Sequence, residues 1–179
     1  MLRFVDLPPG SKGNRFDLDI HSFAAAILAI VVMVVTGKIG FANESTVRVS
    51  DVPRVFAQLR ATGSEGSFAV FMPTPEQSDS DESVNIQFSV ENGTVGLDWV
   101  LISPVNIRDQ EKFEEIARKA RFHYREMEGN GVRYLRTEDR KSDDLCIKLL
   151  SEIYGLTDQD TVALLVESFE WPATTKESN

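Results

Sequence analysis

The alternation of apolar and polar side chains is strongest over residues 84–102, VNIQFSVENGTVGLDWVLI. At its centre Asn92-Gly93 supplies two residues that tolerate positive φ, as a type I′ turn demands, so the stretch predicts a β-hairpin. That turn sets Glu91 opposite Thr94. Counting outward, Val90 faces Val95, Phe88 faces Leu97, Ile86 faces Trp99 and Val84 faces Leu101, all on one side of the sheet. A slip of one residue would expose the whole set. GSFAVFMP, residues 66–73, predicts a third strand, with a long acidic loop from Thr74 to Ser83 before the hairpin.

Helical spacing takes over elsewhere. After the short alternating segment STVRVS, Ser50 offers an N-cap, Pro53 falls in the first turn, and Val52, Val55, Phe56 and Leu59 form one face of a helix that should stop at Gly63. Residues 106–128 predict the longest helix, with Phe113, Ile116, Ala117, Ala120, Tyr124 and Met127 on one stripe. Asn106 or Asp109 is its cap, Gly129 its terminator, and Glu114–Arg118 and Glu115–Lys119 are i,i+4 pairs in the favourable order. VRYLR, residues 132–136, reads as a short strand. Ser142 caps a further helix carrying Leu145, Leu149 and Ile153, closed by Gly155. The last segment, 157–171, fits a helix through Val162, Leu165, Val166 and Phe169, although its β-branched content also suits a strand.

These elements predict an α+β fold, an antiparallel sheet of at least three strands with helices packed on one face. Their order resembles that of small secretion-chaperone-like domains, a likeness of fold that brings no matching motif. The expected organisation is a polar segment 1–19, an apolar segment 20–42, one α+β domain over 43–171, and a tail 172–179.

The apolar segment opens a separate question. From Ile20 to Gly37 there is no Asp, Glu, Lys or Arg, and Phe23–Val35 is strictly apolar. A spanning helix needs about 20 such residues with a lower limit near 17, so residues 20–37 predict a membrane anchor and hence a membrane-anchored protein. Two readings compete. Gly40 and Ala42 before Asn43 fit the small-residue positions of a cleaved export signal, but the preceding segment is electrically balanced rather than positive. Otherwise the run is a buried piece of the fold, or Met33 is the true start, and the protein is cytoplasmic.

Composition narrows the function classes. The net charge of −9 argues against a surface that coats nucleic acid or anionic membrane. A single cysteine, Cys146, rules out an intrachain disulfide, and on its helix it reads as a buried hydrophobe. No phosphate-binding loop, dinucleotide fingerprint, nucleophile elbow or zinc-protease motif occurs, and His21 and His123 are too few for a histidine metal site. SDSDES lacks the glycine and distal glutamate of a calcium loop. Asp98, beside Gln87 on the polar side of the hairpin, reads as exposed polar packing. Asn43-Glu44-Ser45 and Asn92-Gly93-Thr94 match the glycosylation sequon, the second being explained by the turn. No catalytic, metal or cofactor site is therefore expected.

Charge is nonetheless segregated. Residues 118–141 hold eight basic against four acidic residues, a local +4 that leaves −13 for the remainder. Arg118, Arg121, Arg125, Arg133, Arg136, Arg140 and Lys141, interleaved with Phe122, His123, Tyr124 and Tyr134, form a candidate patch for an anionic partner. The plain alternative is a solvated surface neutralised by neighbouring glutamates. The function expected is a non-catalytic protein-interaction domain of chaperone-like, immunity or adaptor type, tethered by its N-terminal segment, with another protein as partner. The alternatives are a binder of RNA or lipid headgroups through 118–141, and an enzyme whose carboxylates are assembled only by folding.

Overall fold

The computed structural model of the chain describes residues 44–73, 86–129 and 131–171. Among these residues seven strands form one sheet: β1 (Glu44–Arg48), β2 (Phe68–Met72), β3 (Ile86–Glu91), β4 (Thr94–Val100), β5 (Arg125–Gly129), β6 (Val132–Thr137) and β7 (Thr161–Glu167). Their order across the sheet is β1-β7-β2-β3-β4-β6-β5, and every neighbouring pair is antiparallel. Among the described residues four helices accompany them: α1 (Val52–Thr62), α2 (Pro104–Arg108), α3 (Gln110–Lys119) and α4 (Ser142–Tyr154).

The β3–β4 hairpin has the expected register, with Ile86 opposite Trp99, Phe88 opposite Leu97, Val90 opposite Val95 and Glu91 opposite Thr94. Asn92 and Gly93 take φ of 51° and 71°, as the type I′ turn requires. The Glu65 carboxylate accepts from both turn amides, Asn92 N at 3.0 Å and Gly93 N at 3.1 Å. On one face of the sheet Phe71, Phe88, Leu97, Trp99, Leu135 and Leu164 pack against the apolar sides of α1, α3 and α4. Trp99 stacks on Phe113 of α3 with ring centroids 5.4 Å apart, and its Nε1 donates to the carbonyl of Asn106.

Four local expectations are corrected. Residues 106–128 are not one helix: α2 is capped by the Ser103 hydroxyl, which accepts from Asn106 N, and α3 ends at Lys119. Arg121 takes a left-handed φ of 63°, while Arg121 N donates to Arg118 O and Phe122 N to Ala117 O. This is the Schellman closure, and it frees Arg125–Gly129 to form β5, so Tyr124 and Met127 leave the helical stripe. The last segment is the strand β7 rather than a helix. It lies between β1 and β2 with both faces covered, which is why Val162–Val166 is buried without a break. A 3-10 turn, Val49–Asp51, precedes α1, and neither Ser50 nor Asp51 caps it with a side chain. Ser142 lies inside α4, where its hydroxyl donates to the carbonyls of Thr137 and Asp139.

VRYLR is the body of β6, and Gly155, with φ of 69°, closes α4. Val84, the acidic loop Thr74–Ser83, the apolar run 20–37 and the tail 172–179 lie outside the described residues. Among the described residues no helix is long and apolar enough to cross a membrane.

Candidate functional site

The polar positions of β3 and β4 alternate with the core positions and therefore share the second face of the sheet. Gln87 lies opposite Asp98, Ser89 opposite Gly96 and Glu91 opposite Thr94. On β6 the same face carries Tyr134 and Arg136, Arg136 directly opposite Asp98. This brings two carboxylates, a guanidinium, a phenol and a hydroxyl together in the interior, with Ser89, Glu91 and Asp98 supplied by the β3–β4 hairpin and Tyr134 and Arg136 by β6.

Arg136 is the hub. Its side chain has no exposed surface, and it extends from β6 over β4 to β3. Nη1 donates to Asp98 Oδ1 at 2.7 Å and to Ser89 Oγ at 2.8 Å, and lies 3.2 Å from Glu91 Oε1. Nη2 donates to the Thr94 carbonyl at 3.0 Å, and Nε to Glu138 Oε1 at 2.8 Å. Ser89 Oγ in turn donates to Asp98 Oδ2 at 2.6 Å, and the Tyr134 hydroxyl is 3.4 Å from Glu91 Oε2. The path over β4 is open because residue 96 is glycine: a Cβ there would stand 2.6 Å from Arg136 Cζ.

Burial sets the acidities. Removal from water pushes the Glu91 carboxyl up to about 7, and the charge of Asp98 adds to that rise. Arg136 and the Tyr134 hydroxyl oppose it without reversing it, since the guanidinium is already engaged more closely by Asp98. Asp98 is raised for the same first reason, with Arg136 and Ser89 acting against burial. For Arg136 burial works against the charge, but Asp98, Glu138 and Glu91 outweigh it and the guanidinium is held more firmly protonated than usual.

The reading of Asp98 as exposed polar packing is thus corrected. Asp98 is buried because Arg136 gives it a counter-charge inside the fold. A carboxyl that titrates near neutrality has the acidity of a general acid or base. Glu91, however, is turned to Arg136 and Tyr134 and is almost without exposed surface, so the cluster works inward, joining β3, β4 and β6. Cys146 is buried in the core, and desolvation raises its thiol well above the usual range, away from nucleophilic use. Among the described residues no group of three His, Cys, Asp or Glu is placed to hold a metal ion.

The seven basic residues picked out from the sequence divide in two. Arg136 is consumed by the interior cluster. Arg125 pairs with Glu138 at 2.6 Å and Arg133 with Glu126, each acid lying close in the β5–β6 hairpin. Arg118, Arg121, Arg140 and Lys141 are exposed and make no ion pair with a described residue. Arg118 and Arg121 flank the Schellman turn after α3, while Arg140 and Lys141 follow β6. The Arg125–Glu138 pair ties the start of β5 to the end of β6, so Arg121 and Arg140 leave the sheet at the same end.

The cluster members Ser89, Glu91 and Asp98 were missed as a site, although one sequence signal pointed to them. Gly96 in the middle of a strand marks a close approach by another group, and the hairpin register places it opposite Ser89. Compared with known family models, curated proteins and solved structures, the chain matches none.

Proposed function

We propose that the chain is a non-catalytic protein-interaction domain, of chaperone-like, immunity or adaptor type, whose contact is made to an acidic protein face. The observation that carries this reading is the exposed basic set Arg118, Arg121, Arg140 and Lys141, which makes no ion pair among the described residues while neighbouring arginines take up the local glutamates. On a chain of net charge −9, such a set gives a directional field that steers an acidic partner to one end of the sheet. The buried polar groups support the non-catalytic part, because their hydrogen bonds and charges are spent largely on one another.

The same residues favour one second reading, a binder of RNA or anionic lipid headgroups. A single experiment separates them. The full chain and a variant carrying Arg118→Glu, Arg121→Glu, Arg140→Glu and Lys141→Glu are titrated at low and moderate salt with a labelled polyglutamate peptide, a single-stranded RNA and phosphatidylglycerol vesicles. The proposal expects peptide binding that weakens with salt and falls about tenfold or more in the variant. Equal binding by the variant would overturn it, and RNA or vesicle binding without peptide binding would transfer the function to the second reading.

A further inference from the structure

β5 closes one edge of the sheet, and among the described residues its only strand neighbour is β6. Arg125, Glu126 and Glu128 are exposed, with Met127 half-buried among them. The direction of its main-chain groups follows from the strand behind it. Leu101 N donates to the Arg133 carbonyl at 2.8 Å, so the main chain of Arg133 turns to β4. In an antiparallel ladder both main-chain groups of a residue point the same way, and the direction alternates along the strand. Glu128 opposite Arg133 and Glu126 opposite Leu135 are therefore the pairs of the β5–β6 ladder that exchange no hydrogen bonds. Their N–H and C=O groups point outward, a row of donors and acceptors open to another strand.

Resting on the acidic partner of the proposed function, we infer that a segment of that partner adds to β5 as an antiparallel strand, its C-terminal part acidic and running past Arg121 and Arg118. Main-chain hydrogen bonds supply the grip and the cations supply the polarity. Antiparallel pairing, the arrangement of every neighbouring pair in this sheet, carries the C-terminal part of the segment beyond Arg125. There Arg118 and Arg121 precede β5 and Arg140 and Lys141 follow β6, all four exposed. Along the strand itself the demand is different. Residues facing Glu126 and Glu128 are uncharged or basic, because an acid directly opposite would be repelled. The alternate residues fall beside Met127, on the face that carries Val132, Tyr134 and Val100, and are apolar. The same alternation rejects a second β5. Outward-pointing residues pair only with outward-pointing residues, and in β5 these are Glu126 and Glu128, so antiparallel self-pairing would set glutamate against glutamate.

The test titrates the full chain with a labelled peptide, TVTVTEEEE, with the reversed sequence EEEETVTVT, and with two N-methylated forms of the first, one methylated at the valines and one at the threonines. N-methylation removes amide donors and leaves the charge unchanged. On the protein, Glu128→Pro deletes one outward N–H and spares the bonds between β5 and β6, whereas Glu128→Thr removes the same charge and keeps the N–H. The expected result is binding of TVTVTEEEE that falls about tenfold or more with one methylated form and not with the other. It should fall as far in Glu128→Pro but not in Glu128→Thr, and the reversed peptide should bind more weakly. Should Glu128→Pro fail to fold, the methylated peptides decide. Equal binding by both methylated forms would overturn strand addition; if the variant with four charge reversals still loses the peptide, the acidic-partner reading stands without it. Equal binding of the reversed peptide would overturn the antiparallel placement. No binding of any form would overturn the reading and the inference together.

Discussion

Gly96 and Arg136 occupy one another's space: the guanidinium lies where a side chain at position 96 would stand, with Cζ 2.6 Å, Nη2 2.8 Å and Nε 2.9 Å from an ideal Cβ. No positive φ requires glycine at this position. The requirement is steric, and through it one missing methyl group lets a charge from β6 reach β3. Gly96→Ala should displace the guanidinium from Asp98 and Ser89 and cost about 2–4 kcal/mol, combining overpacking with partial loss of a buried pair. Urea unfolding of the full chain measures this. A change below half a kilocalorie would mean that Arg136 has a second conformation of equal energy.

Arg136→Met leaves Asp98, Glu91 and Glu138 facing one another without their shared counter-charge. The expected loss is about 3–5 kcal/mol. Adding Asp98→Asn to that variant removes the charge it stranded, so the double variant should lose less than the two single ones together, by about 1–3 kcal/mol. A double-mutant cycle in denaturant gives the coupling directly. Strict additivity would show that the guanidinium acts through packing alone.

What could be read from the sequence follows from how local each signal is. The β3–β4 register was legible because Asn92-Gly93 fixes the turn and every residue outward is then determined. The break after Lys119 was not, because the stripe continues to Met127 while the closing residue is Arg121, a side chain that rarely adopts left-handed φ. The strand β7 looked like a helix because a central strand covered on both faces has no alternation to show. The cluster was the least visible part. Asp98 and Arg136 are 38 residues apart, and only the pairing of β4 with β6 makes them neighbours. Arg136 was accordingly counted with the surface arginines, whose spacing it shares.

Glu65 holds the hairpin from outside it, its two oxygens accepting from the amides of Asn92 and Gly93. Both bonds are exposed to solvent, so Glu65→Ala should cost only about 0.5–1.5 kcal/mol. Amide hydrogen exchange provides the local readout. Protection should fall at Asn92 and Gly93 and persist at Phe88 and Leu97 in the strand interiors. Loss of protection along the strands would mean that the turn alone does not set the register.

The acidity of Glu91 makes stability fall as pH rises. Its carboxyl moves from an ordinary 4.5 in the unfolded chain to about 7 in the fold, because burial beside Asp98 disfavours the charged form. Between those values the folded chain binds a proton that the unfolded chain has released. The stabilisation is therefore complete below about 4.5 and is lost as pH climbs through about 7. From about pH 5.5 to pH 8 the Glu91 contribution amounts to roughly 2 kcal/mol. Asp98 is shifted in the same direction and adds to the same slope, whereas Asp109, lowered by its hydrogen bond to Arg108 and its pairing with Lys112, acts oppositely at acid pH. Glu91→Gln carries no titrating proton, so the decisive quantity is the difference between wild type and variant. That difference in unfolding free energy should change by about 2 kcal/mol across the interval, with wild type losing ground as pH rises. A difference independent of pH would show that Arg136 keeps Glu91 ionised throughout, and that the 3.2 Å approach of Nη1 to Oε1 outweighs burial.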